Sequence, residues 1–367
     1  MSFLEQKDSY KIWVFAPFIE TDDPNLQYYC DYTQSIAEYT QVFAAIGCDW
    51  EWVNVTMQSF EQDVLRVKAA KQKKNIVLNL CDGDELNGGP GVSVIHALDA
   101  HEVVYTGSNA FFYDVTTSKI TMKKAFDAHQ VATPNWVILD GKVDAAIFDK
   151  IGDTAIVKPA ISAGSMGLTI KNVVNTVAEL ENILTEIQKG YRGWKLDGDG
   201  LIAEQFIKGR EFTTLLVGSA DMPDKIQFYA PVERVFHASL PEKEQFLSFD
   251  RLWETYDAET PMPDGGNLYE YASVEPALIP LLQALSLRAY QATQGIGYGR
   301  LDIRMDKKNQ QLYVLEVNAQ CGLSDDENFT SIGAILRYSH KTFTELITAI
   351  LEDALQRRVV VGQLEHR

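Results

Sequence analysis

Residues 295–323 carry the strongest chemical pattern in the chain. They read as two strands, Tyr298–Met305 (YGRLDIRM) and Leu312–Asn318 (LYVLEVN), joined by the charged turn Asp306–Gln311. Side chains two apart on a strand share a face. Arg300, Asp302 and Arg304 therefore point one way, and Glu316 and Asn318 share a face of the other strand. If the strands pair, Asp302, Glu316 and Asn318 converge beside Arg300. Two carboxylates and an amide oxygen are hard ligands suited to Mg²⁺ shared with phosphate oxygens. A guanidinium beside them could stabilise an anionic transition state. The same alternation also describes a charged, solvent-facing sheet surface. The polar set favours chemistry because it interrupts otherwise apolar strands.

Two further segments have chemical potential. The small-residue loop Ser162–Gly167 (SAGSMG) follows a strand ending near Lys158. Small residues let backbone N–H groups approach a phosphate, and a lysine adds positive charge. The loop is neither a dinucleotide fingerprint nor a Walker loop, so an ordinary β-turn is the competing reading. Glu204 and Glu211 flank the segment Leu201–Val217 and, taken alone, read more readily as surface residues.

The elements that must position these residues follow from periodicity. Strands are expected at Lys11–Pro17, Asp49–Val55, Asn75–Cys81 and Val103–Tyr105, alternating with helices at Asn25–Ile46 and Phe60–Ala70. That alternation predicts an open α/β domain. A helix is expected over Asp114–His129, then strands Asn135–Leu139, Thr154–Pro159 and Leu168–Ile170, and a helix Asn175–Lys189. Leu201–Ile207 and Glu211–Val217 are compatible with a hairpin turning at Lys208–Arg210. The polar, aromatic stretch Glu233–Gly266 has weak periodicity and reads as a functional loop or lid. Helices at Pro276–Thr293 and Ser331–Ala354 complete the pattern.

Composition bounds the rest. A chain of 367 residues accommodates two or three domains at about 100–200 residues each. The formal net charge of -18 argues against a nucleic-acid partner and an anionic membrane surface. Cys30, Cys48, Cys81 and Cys321 lie far apart and read as free thiols. No apolar run reaches the length of a membrane span, and the N-terminus lacks a secretory pattern. A cytoplasmic protein is the expectation.

Taken in order, several segments resemble the ATP-grasp superfamily, and most closely the D-alanine–D-alanine ligase type. They are YTGS (Tyr105–Ser108) with Lys119 downstream, IVKP (Ile156–Pro159) with the loop to Gly167, and AEQFIKGREFT (Ala203–Thr213). GIGYGRLDIRMD (Gly295–Asp306) and LYVLEVNAQCGLS (Leu312–Ser324) follow. The resemblance spans about residues 103–355 and is architectural before that. It implies an α/β ATP-grasp fold with an N-terminal substrate-binding domain (1–110), a central ATP-grasp domain (111–215) and a C-terminal catalytic domain (216–367), with ATP between the last two. Lys119 and Lys158 would contact phosphates, and Ser162, Gly164, Ser165 and Gly167 would close over them, Lys158 and Ser165 acting on the transferred group. Glu204 and the backbone of Gln205, Phe206 and Ile207 would hold the adenine edge, and Glu211 the ribose. Asp302, Glu316 and Asn318 would bind two Mg²⁺ ions, or Mn²⁺ in their place. Arg300 and the backbone near Gly322 would face the tetrahedral intermediate. Glu20 and Ser331 would bind substrates. The implied reaction joins an acid and an amine through an acylphosphate, releasing ADP and phosphate, and a homodimer is a family expectation.

Two segments depart from the ligase pattern. Ala16–Tyr29 (APFIETDDPNLQYY) lacks the glycine- and serine-rich run in which the family places an amine-binding Glu; Glu20 is the candidate replacement, and Thr21, Asp22 and Asp23 do not restore the pattern. Asn79–Gly91 (NLCDGDELNGGPG) replaces an HGxxGEDG-like loop. Arg251 is the candidate for the family's loop lysine, and Cys321, beside Gly322, reads as a non-catalytic thiol. The departures favour an acid other than D-alanine, with the ligase that joins an amino acid to mycosporine-glycine as one subfamily. A D-alanine–D-alanine ligase and a non-catalytic ATP-binding regulator are the alternatives.

Overall fold

The computed structural model describes residues 2–364, apart from 22–29, 141–142, 163, 192, 255, 257–258, 263–264 and 329. Its strands form three sheets. The first contains β1 (Tyr10–Pro17), β2 (Asp49–Val55), β3 (Lys74–Asn79) and β4 (Val104–Tyr105) in the order β2-β1-β3-β4, all parallel. Helices α1 (Thr33–Ile46), α2 (Phe60–Ala69) and α3 (Val92–Ala100) connect them. This is the open α/β arrangement that the alternation predicts. The first helix starts at Thr33, so Cys30–Tyr32 lie outside it, and it stops at Gly47, whose φ of 73° suits a glycine C-cap.

Two short helices come next, α4 (Ala110–Thr117) and α5 (Lys119–Ala128). The sequence pattern suggests one helix here, but Ser118 is extended and the Lys119 N–H bonds to the Ala160 carbonyl instead of continuing a helical ladder. That break fixes the start of α5 against the end of a sheet strand. The second sheet is antiparallel, with β5 (Trp136–Ile138), β6 (Ala155–Pro159), β7 (Val173–Val174) and β8 (Leu201–Gln205) in the order β5-β8-β6-β7. Helix α6 (Ala146–Ile151) precedes β6, and α7 (Val177–Gln188) follows β7 with a Thr176–Glu179 capping box. Leu168–Ile170 is not a strand; a 3₁₀ turn over Ile170–Asn172 leads into the two-residue β7.

The hairpin expected over Leu201–Val217 does not form. β8 belongs to the second sheet, while β9 (Gly209–Val217) belongs to the third. Gly209 makes the crossing with φ 149°, and a Cβ there would lie 2.1 Å from the Met305 carbonyl oxygen. The third sheet orders β12 (Tyr269–Ser273), β11 (Val232–Phe236), β9, β13 (Tyr298–Asp306) and β14 (Leu312–Ala319), with β10 (Gln227–Phe228) beside β9. The Glu233–Gly266 region therefore contributes most of β11 and a short helix α8 (Phe249–Leu252) rather than only loop. The C-terminal helical stretch divides at His340, whose φ of 51° is left-handed, into α10 (Ser331–Ser339) and α11 (Phe343–Leu364), while α9 (Ile279–Ala292) packs before β13.

Burial ties the sheets together. Ile12, Tyr39 and Phe43 of the first unit pack in one cluster with Leu215, Val217, Ile335 and Leu346 of the third. On the opposite face of the third sheet, Met122 and Phe126 of α5 pack with Leu282, Leu301 and Val317. Leu301 is fully buried on the face opposite Asp302. Its replacement by Ala leaves a cavity in the layer that carries the polar set, costing about 2–5 kcal/mol. Leu301→Ala is expected to lower the urea unfolding midpoint clearly, and a loss below about 1 kcal/mol would contradict this packing.

Candidate active site between the second and third sheets

The β13–β14 register sets the site. Arg300 lies opposite Asn318 and Asp302 opposite Glu316, so all four share one face. The register shifts after Asp302, where a bulge places Ile303 opposite Val314. Asn318 Nδ2 lies 3.4 Å from both Asp302 Oδ2 and Glu316 Oε1. Arg300 reaches Asp302 Oδ2 at 3.3 Å, and Thr213 Oγ1 donates to Asp302 Oδ1 at 2.9 Å.

From the second sheet and α5 come the lysines. Lys119 Nζ lies 3.3 Å from Ser162 Oγ and 3.9 Å from Glu316 Oε2, so one side chain spans loop, helix and third sheet. Burial pushes the Lys119 pKa down, and Glu316 pulls it back up. Lys158 meets Glu204 at 2.5 Å. The second oxygen of Glu204 meets Lys123 at 2.7 Å, a pairing that sequence reasoning missed. Its only sequence signal was the four-residue spacing from Lys119 on α5, which puts both lysines on one helix face. Lys123 and Glu204 are both nearly inaccessible. Burial opposes ionisation of Glu204, but Lys123 and Lys158 outweigh it and hold its pKa down to about 2.

Glu204 therefore faces lysines rather than an open nucleotide edge. The Gln205 N–H donates to the Asn135 carbonyl and the Phe206 N–H to the Thr154 carbonyl. The Ile207 carbonyl accepts from Arg304 at 2.8 Å. Glu211 also differs from a free ribose acceptor. One oxygen pairs with Arg234, the other with Arg304 at 2.8 Å, and all three side chains are buried. Arg304 shares the Asp302 face, as the strand alternation predicts.

The small-residue loop meets the lid region. Ser165 and Gly164 have φ of 62° and 55°, Gly167 has 74°, and Trp253 Nε1 donates to the Gly164 carbonyl at 2.9 Å. Arg251, the candidate for the family's loop lysine, is buried between Glu244 at 3.0 Å and Glu259 at 3.2 Å. Gly322 is exposed, and a Cβ on it would meet nothing within 4 Å, so its backbone is open to a ligand. Ser331 is buried in the first turn of α10, capped by Thr330. Glu20 is exposed past the end of β1; Asp22 and Asp23 lie outside the described residues. All four cysteines are free, and burial pushes the Cys321 thiol up to about 12, which leaves it protonated and unsuited to nucleophilic attack.

The polar set suits a divalent cation. Like charges directly opposite on a sheet repel. Among the described residues, Asp302 and Glu316 each have one cation within 4 Å, at 3.3 and 3.9 Å, which is looser neutralisation than Glu204 receives. No cluster of three His, Cys, Asp or Glu occurs among the described residues, so the set relies on the Asn318 amide as its third oxygen donor. As placed, its nitrogen faces the carboxylates; rotating the amide presents the oxygen instead.

Comparison with known proteins agrees with this architecture. The fold is similar to D-alanine–D-alanine ligase from Bacillus anthracis complexed with ATP, with TM-score 0.64, 20% identity and coverage of 96% of this chain and 99% of that one. The ligase from Coxiella burnetii gives TM-score 0.64 at 13% identity, covering 98% and 100%. These likenesses show that the chain shares the α/β fold of those ligases. By sequence, a D-alanine–D-alanine ligase of Pseudoalteromonas translucida is 27% identical over 73% of this chain and 77% of its own length. One from Ralstonia pickettii is 31% identical over 62% and 61%. The profile described as D-ala D-ala ligase C-terminus matches residues 124–352, and the chain belongs to that family. It is thus an ATP-dependent, ADP-forming ligase of the carbon–nitrogen class. Among the described residues, no helix is long and apolar enough to cross a membrane.

The Glu204 pairing has a pH signature. Its folded pKa of about 2 lies below the ordinary 4.5, so its stabilisation is complete above 4.5 and is lost as pH falls toward 2. Lys123→Met removes one of the two cations and is expected to move the acid-unfolding midpoint upward. An unchanged midpoint, followed by circular dichroism, would show that the pair contributes nothing.

Proposed function

We propose that the seam between the second and third sheets binds Mg·ATP and joins a carboxylic acid to an amine, with D-alanine as the first substrate to test for both. The observation that carries this reading is the span of Lys119, which lies against Ser162 of the small-residue loop and reaches toward Glu316 of the opposite sheet. Phosphates placed along that span meet cations on one side and the Asp302, Glu316 and Asn318 donors on the other.

In this reading Lys119 and Lys158 orient the triphosphate, and the backbone of Ser162, Gly164, Ser165 and Gly167 closes over its end. Asp302, Glu316 and Asn318 would hold Mg²⁺, which when bound neutralises the triphosphate and its developing charge. The acid's carboxylate attacks the γ-phosphorus, giving an acylphosphate and ADP. The amine nitrogen then attacks the acyl carbon, and phosphate leaves. Arg300 and the open backbone at Gly322 stabilise the oxyanion of that second step. Glu204 acts as the counter-ion that fixes Lys158, and the adenine edge is left to the backbone near Gln205–Ile207. Glu211 acts through Arg234 and Arg304 rather than as an isolated ribose acceptor. Glu20 and Ser331 remain the candidates for substrate contact. The contact of Trp253 with Gly164 supports concerted closure of loop and lid, which keeps water from the acylphosphate.

A second reading rests on the loop Asn79–Gly91, whose sequence departs from the ligase pattern. It assigns the acid pocket to a larger donor of the mycosporine-glycine kind. The three-domain division, 1–110, 111–215 and 216–367, accompanies both readings. A homodimer is the assembly to test by light scattering.

A condensation screen tests the reading, pairing D-alanine, other amino acids and mycosporine-glycine as acids with amino acids as amines. ADP release is expected to require both partners, and the condensed product identifies them by mass. Glu316→Gln is expected to lower kcat/KM by at least about 100-fold. Full activity in that variant would remove Glu316 from the site.

A further inference from the structure

The reaction needs a neutral amine, yet an amino acid arrives as an ammonium ion, and none of the groups assigned above takes its proton. One carboxylate outside that set stands in the right place. Asp82 belongs to the loop after β3, which is tied to Gln320 at the end of β14 and to Tyr113 of α4. Gln320 Nε2 donates to the Asn79 carbonyl at 2.8 Å, and Gln320 Oε1 accepts from the Ser108 N–H at 2.7 Å. Tyr113 Oη donates to the Gly83 carbonyl at 2.9 Å. Gln320 is fully buried and sits two residues from both Asn318 and Gly322. Gly107 makes room for it, since a Cβ there would lie 1.6 Å from Gln320 Oε1. The clamp thus carries Asp82 to the edge of the oxyanion site.

Asp82 itself is exposed and makes no ion pair among the described residues. The cation whose field it feels is Arg300. Around it stand Tyr32, Cys81, Tyr113, Tyr298 and Cys321, all neutral near pH 7 because burial raises each of them. The protein atoms crowding its carboxyl push its pKa up to about 6, with its own backbone N–H and Arg300 opposing. An accessible carboxylate with no cation of its own, beside the arginine that faces the acyl carbon, leaves a place for a cationic nitrogen.

We propose that Asp82 binds the ammonium group of the incoming amino acid and is the base that accepts its proton. This deepens the ligase reading and rests on it. One N–H proton passes to a carboxylate oxygen of Asp82 as the nitrogen lone pair forms the bond to the acyl carbon. The acyl π electrons move onto the oxygen facing Arg300 and Gly322. The tetrahedral intermediate then collapses: the carbonyl re-forms, the remaining excess proton on nitrogen passes to the departing phosphate as its bond to carbon breaks, and Asp82 returns its own proton to solvent.

The test compares two nucleophiles, using the acid and amino acid that the condensation screen returns. Hydroxylamine is largely neutral near pH 7 and needs no base to trap the acylphosphate as a hydroxamate. Asp82→Asn is expected to slow amide formation at least about 100-fold while hydroxamate formation stays within about threefold. The fall in kcat/KM below about pH 6 for the amino acid should disappear in that variant, and Asp82→Glu should recover part of the rate. Equal losses with both nucleophiles, or no loss with either, would overturn the assignment while leaving the ligase reading intact. If the unmodified enzyme condenses no pair in the screen, the ligase reading falls and the role of Asp82 falls with it.

Discussion

The structure depends on one unfavourable juxtaposition, two carboxylates held directly opposite each other on β13 and β14. Backbone pairing imposes it, since the register sets Asp302 directly opposite Glu316 on β14. Cross-strand like charges destabilise a sheet unless positive charge offsets them. The apolar reverse of the same strands, with Leu301 and Val317 buried against α5 and α9, holds the register in place. The hydrophobic layer thus keeps the polar face in an arrangement that it would not adopt alone.

How each carboxylate is neutralised separates scaffold from site. Glu204 has two lysines and Glu211 two arginines, all packed at contact distance and, apart from the partly buried Lys158, buried. Removing one partner of such a pair strands a buried charge, so these groups are locked. Among the described residues, Asp302 and Glu316 have one cation each within 4 Å, at longer range, and Asp82 makes no ion pair. Incompletely neutralised negative charge therefore remains at Asp302, Glu316 and Asp82. In a chain of net charge -18, this placement matters more than the total.

Much of this was legible in the sequence because strands have a period of two. The alternation in YGRLDIRM and LYVLEVN alone puts Arg300, Asp302, Glu316 and Asn318 on shared faces. The first sheet was legible for the same reason, from apolar runs separated by amphipathic helices. Breaks were harder to read. Ser118 interrupts a helical pattern because the Lys119 N–H finds the Ala160 carbonyl, a tertiary event without a local signal. Lys208–Arg210 looks like a hairpin turn, yet Gly209 carries the chain into another sheet. Lys123, Arg234 and Gln320 were invisible as site residues because their partners are distant in sequence and only packing unites them.

The central claim is that nucleotide and metal lie across the seam spanned by Lys119. A crystal structure of the chain with Mg²⁺ and a non-hydrolysable ATP analogue tests it most directly. The account predicts phosphate oxygens in contact with Lys119 and Lys158, and a cation ligated by Asp302, Glu316 and Asn318. A nucleotide bound elsewhere, or a cation held without those three residues, would contradict it.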